Sequence, residues 1–393
     1  MKKRILPILL ALIMALTLLP TLALADDEPI LIDSDEDLVA AIKGQQDGQT
    51  WVFTEAGEYD AMNTDEGSNG FYAASIGTGS NFVFPIYVDN LTITKEDGVG
   101  EVVITSSARP DEQYGGNWDK QNFITVAGSN VTIENVSIKG NPNDWYDGLC
   151  NKAIEFTPSA SNFTLKNMEV KSLVNEAGKK SSGSIYVSCT DVGTSSIENV
   201  KMGSYISSAD SVEGTLTITN LEQDYTDFIY AGEPGYLYGV KPAAANNLVI
   251  DGLTIYVDNN SNLAEQAFSE RVYDGTTVVL AAGEYDIGSL RISKAVNLVG
   301  AGDSMTTLNG SVDYTTAADG ADINISGLFF KADDTNTNHA LNFAYLKDSK
   351  INVDDCLFKG YQFGIGVNSQ ATGNALNVSE SEFAEVNCAA GIK

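Results

Sequence analysis

Residues 129–140 read SNVTIENVSIKG, and residues 161–172 repeat the same pattern as SNFTLKNMEVKS. In both segments apolar and polar residues alternate, a small polar residue follows, and a second short alternation comes after it. Alternation with a period of two predicts β-strands, and Asn at the break predicts a bend in the left-handed region of backbone space. The same pattern recurs in TSSIENVKMGS (194–204), TLTITNL (215–221), NNLVIDGLTIYV (246–257), ADINISGLFF (321–330) and SKINVDDCLF (349–358).

The spacing of these segments indicates stacked turns. The bend residues Asn135, Asn167, Asn199 and Asn220 follow one another at steps of 32, 32 and 21 residues. Another short strand precedes three of the segments, in FITV (123–126), AIEF (153–156) and SIYV (184–187). Two or three short strands per turn, with a period of roughly 20 to 32 residues, are typical of a parallel β-solenoid, in which stacking buries a continuous apolar column.

Asparagines at equivalent bends are then expected to form a hydrogen-bonded ladder along the outside. A β-sandwich is the alternative fold, but its hairpins call for frequent two-residue Asn-Gly or Asp-Gly turns. We therefore predict an all-β chain that forms a β-solenoid.

The solenoid has two apparent starts. DGQTWVFTEAGEYD (47–60) and DGTTVVLAAGEYD (274–286) match closely when one residue is gapped. Each follows an amphipathic stretch, DLVAAIKG (37–44) or NLAEQAFSERV (262–272), that is expected to form a short helix capping the first turn.

The first 25 residues carry the three parts of an export signal. Lys2 to Arg4 are basic, Ile5 to Leu19 are apolar, and Ala23-Leu24-Ala25 forms a small-residue cleavage site. Pro20 interrupts the apolar run before it reaches membrane-spanning length. We expect a secreted protein with no membrane span after signal cleavage.

We therefore divide the chain into a signal peptide at 1–25, a first β-helix module at 26–257 and a shorter β-helix module at 258–393. The linker DNNSN (258–262) marks the boundary. The second module ends near Lys393 without an obvious cap, which suggests a truncated product or pairing with another chain.

Composition limits the partners and the redox chemistry. Acidic residues outnumber basic ones by 53 to 23, and the formal net charge is −30. Such a surface repels phosphate backbones, so nucleic acid is not expected as a partner. The four cysteines are too few for a disulfide-dense scaffold. Either one bridge forms in each half, between Cys150 and Cys189 and between Cys356 and Cys388, or all four are buried thiols.

The repeat resembles the right-handed parallel β-helix, or pectin lyase-like, superfamily of pectate lyases, polygalacturonases and pectin methylesterases. The start at 274–286, followed by AVNLVGAGDSMTTLNGS (295–311), is similar to the first turns of methylesterases. HALNFAYLKDSKINVDDCLFKGYQ (339–362) resembles a later methylesterase segment that ends in Gly-Tyr-Gln-Asp. The resemblance implies a right-handed parallel β-helix and bears on fold more than on activity.

The methylesterase machinery does not carry over to this sequence. Gln362 matches the Gln of the Gly-Tyr-Gln-Asp motif, but Phe363 stands where the acid/base Asp falls. The first Gln of the family falls near Thr337 to His339, where this chain has none. Because a phenyl ring transfers no proton, esterase activity is not expected.

Pectate lyases would use Ca²⁺ held by acidic residues. Two acid pairs offer the residue types, Asp354-Asp355 beside Lys359 and Asp333-Asp334 beside Lys331. Adjacent acids on a strand point to opposite faces, so neither pair predicts a chelate. DSDED (33–37) is expected to form the acidic N-cap of a helix from Asp37 rather than a calcium loop. We predict no catalytic residue, metal or cofactor, and leave Ca²⁺ open as the one possible cofactor.

Aromatic residues recur in the connections that precede successive strands of the first module: Tyr114 and Trp118, Trp145 and Tyr146, and Tyr230, Tyr236 and Tyr238. Equivalent connections stack on one side of a solenoid, so these rings are candidates for lining a ligand groove. The alternative is that they fold back over the coil edges. A strongly acidic groove repels polyuronate, so neutral glycans are the expected ligands.

Two functions of different classes remain open on this basis. The first is a non-catalytic exported module that binds a polysaccharide, a cell-surface glycan or another surface partner. The second is a polysaccharide lyase or pectinesterase-like enzyme with an unfamiliar site. The low content of Arg and His, together with Phe363, favours the first.

Overall fold

The computed structural model of the chain describes residues 28–61, 82–105, 122–139, 152–174, 180–181, 183–208, 213–227, 229–230, 233–234, 240–241, 248–259, 272–315, 319–333, 338–367 and 371–392. Within these ranges the chain forms one helix, α1 (Asp35–Lys43), and a long series of short strands. Apart from two small hairpins, the described strand pairs are parallel, as stacked turns require and a β-sandwich does not.

The strands of the first half stack in three columns, which we call the first, second and third faces. The first face contains β1 (Ile30–Ile32), β2 (Thr50–Phe53), β5 (Thr92–Lys95), β8 (Thr132–Glu134) and β21 (Leu248–Asp251). The second face contains β3 (Gly57–Asp60), β6 (Val102–Thr105), β9 (Ser137–Lys139) and β22 (Thr254–Val257). Three strands bend in the middle and belong to both faces: β11 (Thr164–Lys171), β15 (Asp191–Met202) and β17 (Glu213–Asp224).

The third face closes each turn. It contains β4 (Phe82–Ile86), β7 (Asn122–Val126), β10 (Lys152–Phe156), β14 (Ser184–Val187), β16 (Ile206–Ser208) and β20 (Val240–Lys241). The two antiparallel hairpins are β12 (Leu173–Val174) with β13 (Lys180–Ser181) and β18 (Ile229–Tyr230) with β19 (Glu233–Pro234).

The second half repeats this architecture. Its first face contains β23 (Thr277–Leu280), β25 (Asn297–Val299), β27 (Asp322–Ser326), β30 (Lys350–Asp354) and β33 (Ala375–Ser379). Two long strands, β24 (Gly283–Ile292) and β26 (Thr306–Tyr314), run through the second and third faces. Later turns divide this path into β28 (Phe329–Lys331), β31 (Leu357–Lys359) and β34 (Glu382–Ala384) on the second face, and β29 (His339–Phe343), β32 (Phe363–Val367) and β35 (Cys388–Ile392) on the third.

Stacking of identical positions builds the core. In the second half Phe330, Phe358 and Phe383 form a column of nearly parallel rings, with centroids 5.1 and 4.7 Å apart. One turn alone leaves the faces of such a ring open, whereas the ring of the next turn covers one of them. The described residues therefore form the parallel β-helix predicted from the period of the repeat.

The predicted asparagine ladder is present at the bend between the first and second faces. Asn135, Asn167, Asn199 and Asn220 all have φ between 50° and 61°. Each of the later three donates its Nδ2 to the Oδ1 of the one before it, at 2.9 to 3.0 Å. In this ladder the side-chain amides bond to one another instead of to solvent.

A second ladder, which sequence reasoning missed, lies on the first face of the second half. Asn297, Asn324, Asn352 and Asn377 are linked by Nδ2-to-Oδ1 hydrogen bonds of 3.3, 2.8 and 2.9 Å. These residues belong to the strands rather than to the bends, so the bend pattern gave no sign of them.

Helix α1 packs on the first turn through Leu38, Ala41 and Ile42, which are buried. The helix begins at Asp35 rather than at the predicted Asp37, and Ser34 is its N-cap. The Ser34 hydroxyl accepts a hydrogen bond from the Asp37 backbone N–H at 3.3 Å and donates one to the Asp37 carboxylate at 2.6 Å. This capping arrangement explains the earlier start, because Asp35 and Glu36 become residues of the first helical turn.

The two matched starts have the same local structure. Tyr59 and Tyr285 each donate their hydroxyl to the backbone carbonyl four residues earlier, at 2.8 and 3.0 Å. Asp47 and Asp274 each accept a hydrogen bond from a backbone N–H of the following turn. The strand pairing is nevertheless continuous across residue 258, since β22 pairs with β23, so the first face of the second half continues the second face of the first half. The division into two modules therefore stays a prediction drawn from the duplicated sequence.

Among the four cysteines, Cys189 and Cys356 are free and buried. The proposed bridges to Cys150 and Cys388 are therefore wrong, and these two residues are the buried thiols of the alternative. Burial raises the pKa of each thiol to about 12. Cys150 and the side chain of Cys388 lie outside the described residues.

Across the described ranges, no helix has both the length and the apolar character that a membrane span requires.

Candidate functional site

The long connections of the first half leave the second face and enter the third face along one edge. Residues 106–121 link β6 to β7, 140–151 link β9 to β10, and 225–239 link β17 to β20. Because β6 pairs with β9 and β7 pairs with β10, the first two connections start and finish on neighbouring strands. The third connection enters β20, which lies three strands beyond β10 in the third face.

Most of the aromatic residues predicted to line a groove lie outside the described residues: Tyr114, Trp118, Trp145, Tyr146, Tyr236 and Tyr238. The backbone of Tyr230 is described in β18, opposite Glu233 of β19, but its side chain is not. The strand register brings the ends of the first two connections together. The position of the rings stays a prediction.

A row of four side chains on the third face lies beside this edge. Thr125, Glu155, Tyr186 and Ser207 are register partners on successive strands. The residue before each of them is buried in the core, so these four side chains point away from the core. We call Thr125, Glu155, Tyr186 and Ser207 the outer row.

The outer row is shielded from solvent although it points away from the core. Thr125 is fully buried, and Glu155 and Ser207 are 9% and 8% exposed. Thr125 Oγ1 has no hydrogen-bond partner among the described residues. Buried hydroxyls without a partner are uncommon in folded proteins, so this position suits a buried water that supplies the missing bond.

Lys152 begins β10 directly after the 140–151 connection and joins the outer row. Its Nζ lies 2.9 Å from Glu155 Oε1 and 4.1 Å from the centroid of the Tyr186 ring. The side chains of Lys152 and Glu155 are 26% and 11% exposed, so water screens this pair less than it screens an open surface pair. The ammonium over the ring adds a cation–π contact. The three side chains hold one another in place.

This cluster offers fixed hydrogen-bonding groups. Lys152 is held by a carboxylate and a ring, so its position is fixed. The partly exposed side chains of Lys152 and Tyr186 suit the hydroxyls and the apolar faces of sugars.

The acid pairs considered for calcium do not form a chelating group in the part of the chain that is described. Asp354 Oδ1 accepts a hydrogen bond from Ser379 Oγ at 2.6 Å, and Asp355 occupies a bend with φ of 50°. Asp334 lies outside the described residues. No three His, Cys, Asp or Glu side chains in the described ranges are grouped to hold a metal ion.

Phe363 occupies the position that the methylesterase resemblance assigns to an acid/base Asp. It is half-buried and stacks on His339, with ring centroids 5.1 Å apart and planes inclined by 16°. The neighbouring Gln362 is exposed. A ring packed on a ring therefore replaces the carboxylate of that motif.

Sequence reasoning missed Lys152, Glu155 and Tyr186 as a cluster. A signal was present, because Thr125, Glu155 and Tyr186 stand at the same position of FITV, AIEF and SIYV. The sequence analysis aligned these strands, but the contacts of Lys152 with Glu155 and with the ring of Tyr186 became visible only in the structure.

No model of a known protein family matches the sequence, and no curated protein matches it. Among solved structures, the chain is similar to the PL6 family alginate lyase AlyGC, with 8% sequence identity over 91% of this chain and 81% of that chain, and a TM-score of 0.26. A mutant of the same enzyme gives 8% identity, the same coverage and a TM-score of 0.25. Values this low carry no argument about activity, and the fold assignment rests on the strand pairing. The resemblances to the pectin lyase-like superfamily and to pectin methylesterases are not confirmed.

Proposed function

We propose that this β-helix protein is exported and binds a polysaccharide or cell-surface glycan without cleaving it. The observation that supports the proposal best is the shielded cluster of Lys152, Glu155 and Tyr186. It lies on the third face where the connections 106–121 and 140–151, which carry Trp118 and Trp145, join neighbouring strands.

The chemistry of the cluster favours an uncharged glycan at this edge. Lys152 is neutralised by Glu155, so no cation is left over to attract an acidic polymer. The whole chain carries a formal net charge of −30, which opposes the approach of a polyanion. Calcium could bridge such a repulsion, and we keep it as a condition to be varied in the experiment.

Retention on affinity gels containing neutral polysaccharides tests the proposal. Trp118→Ala, Trp145→Ala and Tyr186→Ala are each expected to weaken retention while changing the melting temperature little. Tyr345→Ala is the matched control, because Tyr345 is an exposed tyrosine in the second half, 50% accessible, and should leave retention unchanged. Trp51→Ala shows what the loss of a core ring looks like, since Trp51 is fully buried and its truncation costs about 3–5 kcal/mol.

Two results would contradict the proposal. If Trp118→Ala and Trp145→Ala lower stability as much as Trp51→Ala, these rings belong to the core and not to a ligand surface. If a polysaccharide panel, with and without Ca²⁺, yields ultraviolet-absorbing unsaturated products or free methanol, the protein is the lyase or esterase of the alternative hypothesis.

A further inference from the structure

A second polar row lies on the third face of the other half, away from the site just described. Arg291, Asp313, Asn342 and Gly366 are register partners on β24, β26, β29 and β32. The residue before each of them is buried in the core, so the side chains of Arg291, Asp313 and Asn342 point outward. We call these four residues the second-half row.

Asp313 is held in place by its neighbours. Its Oδ1 accepts a hydrogen bond from Asn342 Nδ2 at 3.0 Å, and its Oδ2 accepts one from Ser289 Oγ at 3.0 Å. Both carboxylate oxygens are therefore engaged by neutral donors on the same surface. Asp313 forms no ion pair with its register partner Arg291 in the described structure.

Arg291 is exposed and makes no hydrogen bond or ion pair with any described residue. Five lysines of the described ranges have carboxylate partners, namely Lys139, Lys152, Lys166, Lys171 and Lys359, whereas others, such as Lys201 and Lys350, form no ion pair there. The exposed guanidinium of Arg291 is therefore available to an anion from outside the chain. Its fork of N–H donors matches a planar carboxylate or a sulfate ester.

The far end of the row is formed by His339. A Cβ placed on Gly366 would overlap His339 Cδ2 and lie 2.8 Å from Nε2, so the imidazole ring lies over this glycine. Phe363 stacks on the same ring. Arg291 and Asn342 are separated by two strand spacings, about 10 Å, which is enough room for one or two sugar rings.

The geometry points to a second binding site on the second-half row, for a glycan segment that carries a carboxylate or sulfate group. Arg291 binds the anionic group, while Asn342, Asp313 and the edge of His339 contact hydroxyls of the same or the next sugar. This site differs in ligand class from the edge of the first half, where the one cation of the cluster is already neutralised. It does not depend on the function proposed above.

The experiment uses the single histidine of the chain, His339, as an unambiguous NMR probe. The imidazole C–H signals are followed while the full-length protein is titrated with a galacturonate trisaccharide, a sulfated galactose oligosaccharide or a neutral galactose trisaccharide. We expect the shift to saturate with an acidic ligand and not with the neutral one. The two acidic ligands distinguish a carboxylate site from a sulfate site.

Arg291→Ala should weaken the binding about tenfold or more, as expected for loss of a charge-assisted hydrogen bond. Lys350→Ala is the matched control, since it removes one exposed positive charge from β30 on the first face, outside the row. Equal shifts with the neutral sugar, equal weakening by both variants, or no saturable shift with either acidic ligand would each overturn the proposal. The NMR titration reads the His339 signal in the second half, whereas gel retention tests the cluster of Lys152, Glu155 and Tyr186 in the first half. A negative result in one experiment therefore does not imply a negative result in the other.

Discussion

Asn167 donates its side-chain Nδ2 to Asn135 Oδ1 at 3.0 Å, and both residues have left-handed backbones with φ of 50° and 61°. The same side chain that tolerates the bend thus also links one turn to the next. A glycine would satisfy the backbone at such a bend, but it would leave the ladder broken.

Asn199 separates these two contributions. It donates to Asn167 at 2.9 Å and accepts from Asn220 at 3.0 Å, with φ of 51°. Asn199→Gly should lower the free energy of unfolding by about 1 kcal/mol through the lost hydrogen bonds, and Asn199→Ala by about 2 kcal/mol because the left-handed strain is added. Urea unfolding measures both. If both variants lose the same free energy of unfolding, the left-handed backbone conformation adds nothing to the cost of Asn199→Ala.

Gly128 and Gly366 are both close to another turn, but they differ in what they approach. A Cβ at Gly128 would overlap the Val88 carbonyl oxygen, whereas at Gly366 it would overlap the ring of His339. Backbone cannot rotate away and a side chain can, so Gly128→Ala should cost about 3 kcal/mol and Gly366→Ala about 1 kcal/mol. Thermal unfolding ranks the two variants. For Gly366→Ala we also expect a displaced His339 NMR signal, and an unchanged signal would contradict the close approach of the ring.

Phe363→Asp tests whether a latent esterase site exists. Neither the wild type nor this variant should release methanol from methyl-esterified pectin, because the opposing Asp and Arg of that family are absent from the sequence. The new carboxylate would lie beside His339 and raise the pKa of its imidazole. The stabilisation from this pair is present between about pH 4, above which the new carboxyl group is ionised, and about pH 6.5, and it is lost as the pH rises through the raised pKa of the imidazole. Phe363→Asn is the uncharged control, and methanol release by any of the three proteins would show that partners come from unaligned residues.

Buried thiols and phenols predict a loss of stability in alkali. Burial raises the pKa of Cys189, Cys356 and Tyr273 to about 12, from ordinary values of 9.0 for the thiols and 10.0 for the phenol. Above about pH 9 the unfolded chain releases protons that the folded chain retains, so the free energy of unfolding falls with rising pH. Urea midpoints at pH 8, 9, 10 and 11 should show this decline, and Cys189→Ala with Cys356→Ala should make it shallower. A flat profile would contradict the burial of these groups.

The repeat pattern predicted the fold because each turn carries its own signal. Alternating apolar residues and an Asn at φ near 50° are local features, and Asn135, Asn167, Asn199 and Asn220 could be aligned by spacing alone. The start of α1 was wrong by two residues because Ser34 competes with the acidic residues for the N-cap position.

The candidate sites depend on register and were therefore harder to predict. Lys152, Glu155 and Tyr186 are ordinary residues in three short strands, and only the pairing of β10 with β14 brings the ring of Tyr186 over to Lys152. Arg291 and Asp313 likewise become neighbours through the pairing of β24 with β26. Long-range contacts of this kind leave no pattern within a single turn.

The pairing of β22 with β23 affects how the molecule folds and comes apart. It joins both halves into one apolar column, running from Ile32 to Ile365. Separating them would expose a row of strand edges together with the side chains of Leu253, Ile255 and Val278, all of which are now buried. The turns on either side of residue 258 therefore stabilise each other. Folding that begins in one half can propagate into the other half. Two fragments cut at this junction would carry complementary edges and would be suited to reassociate.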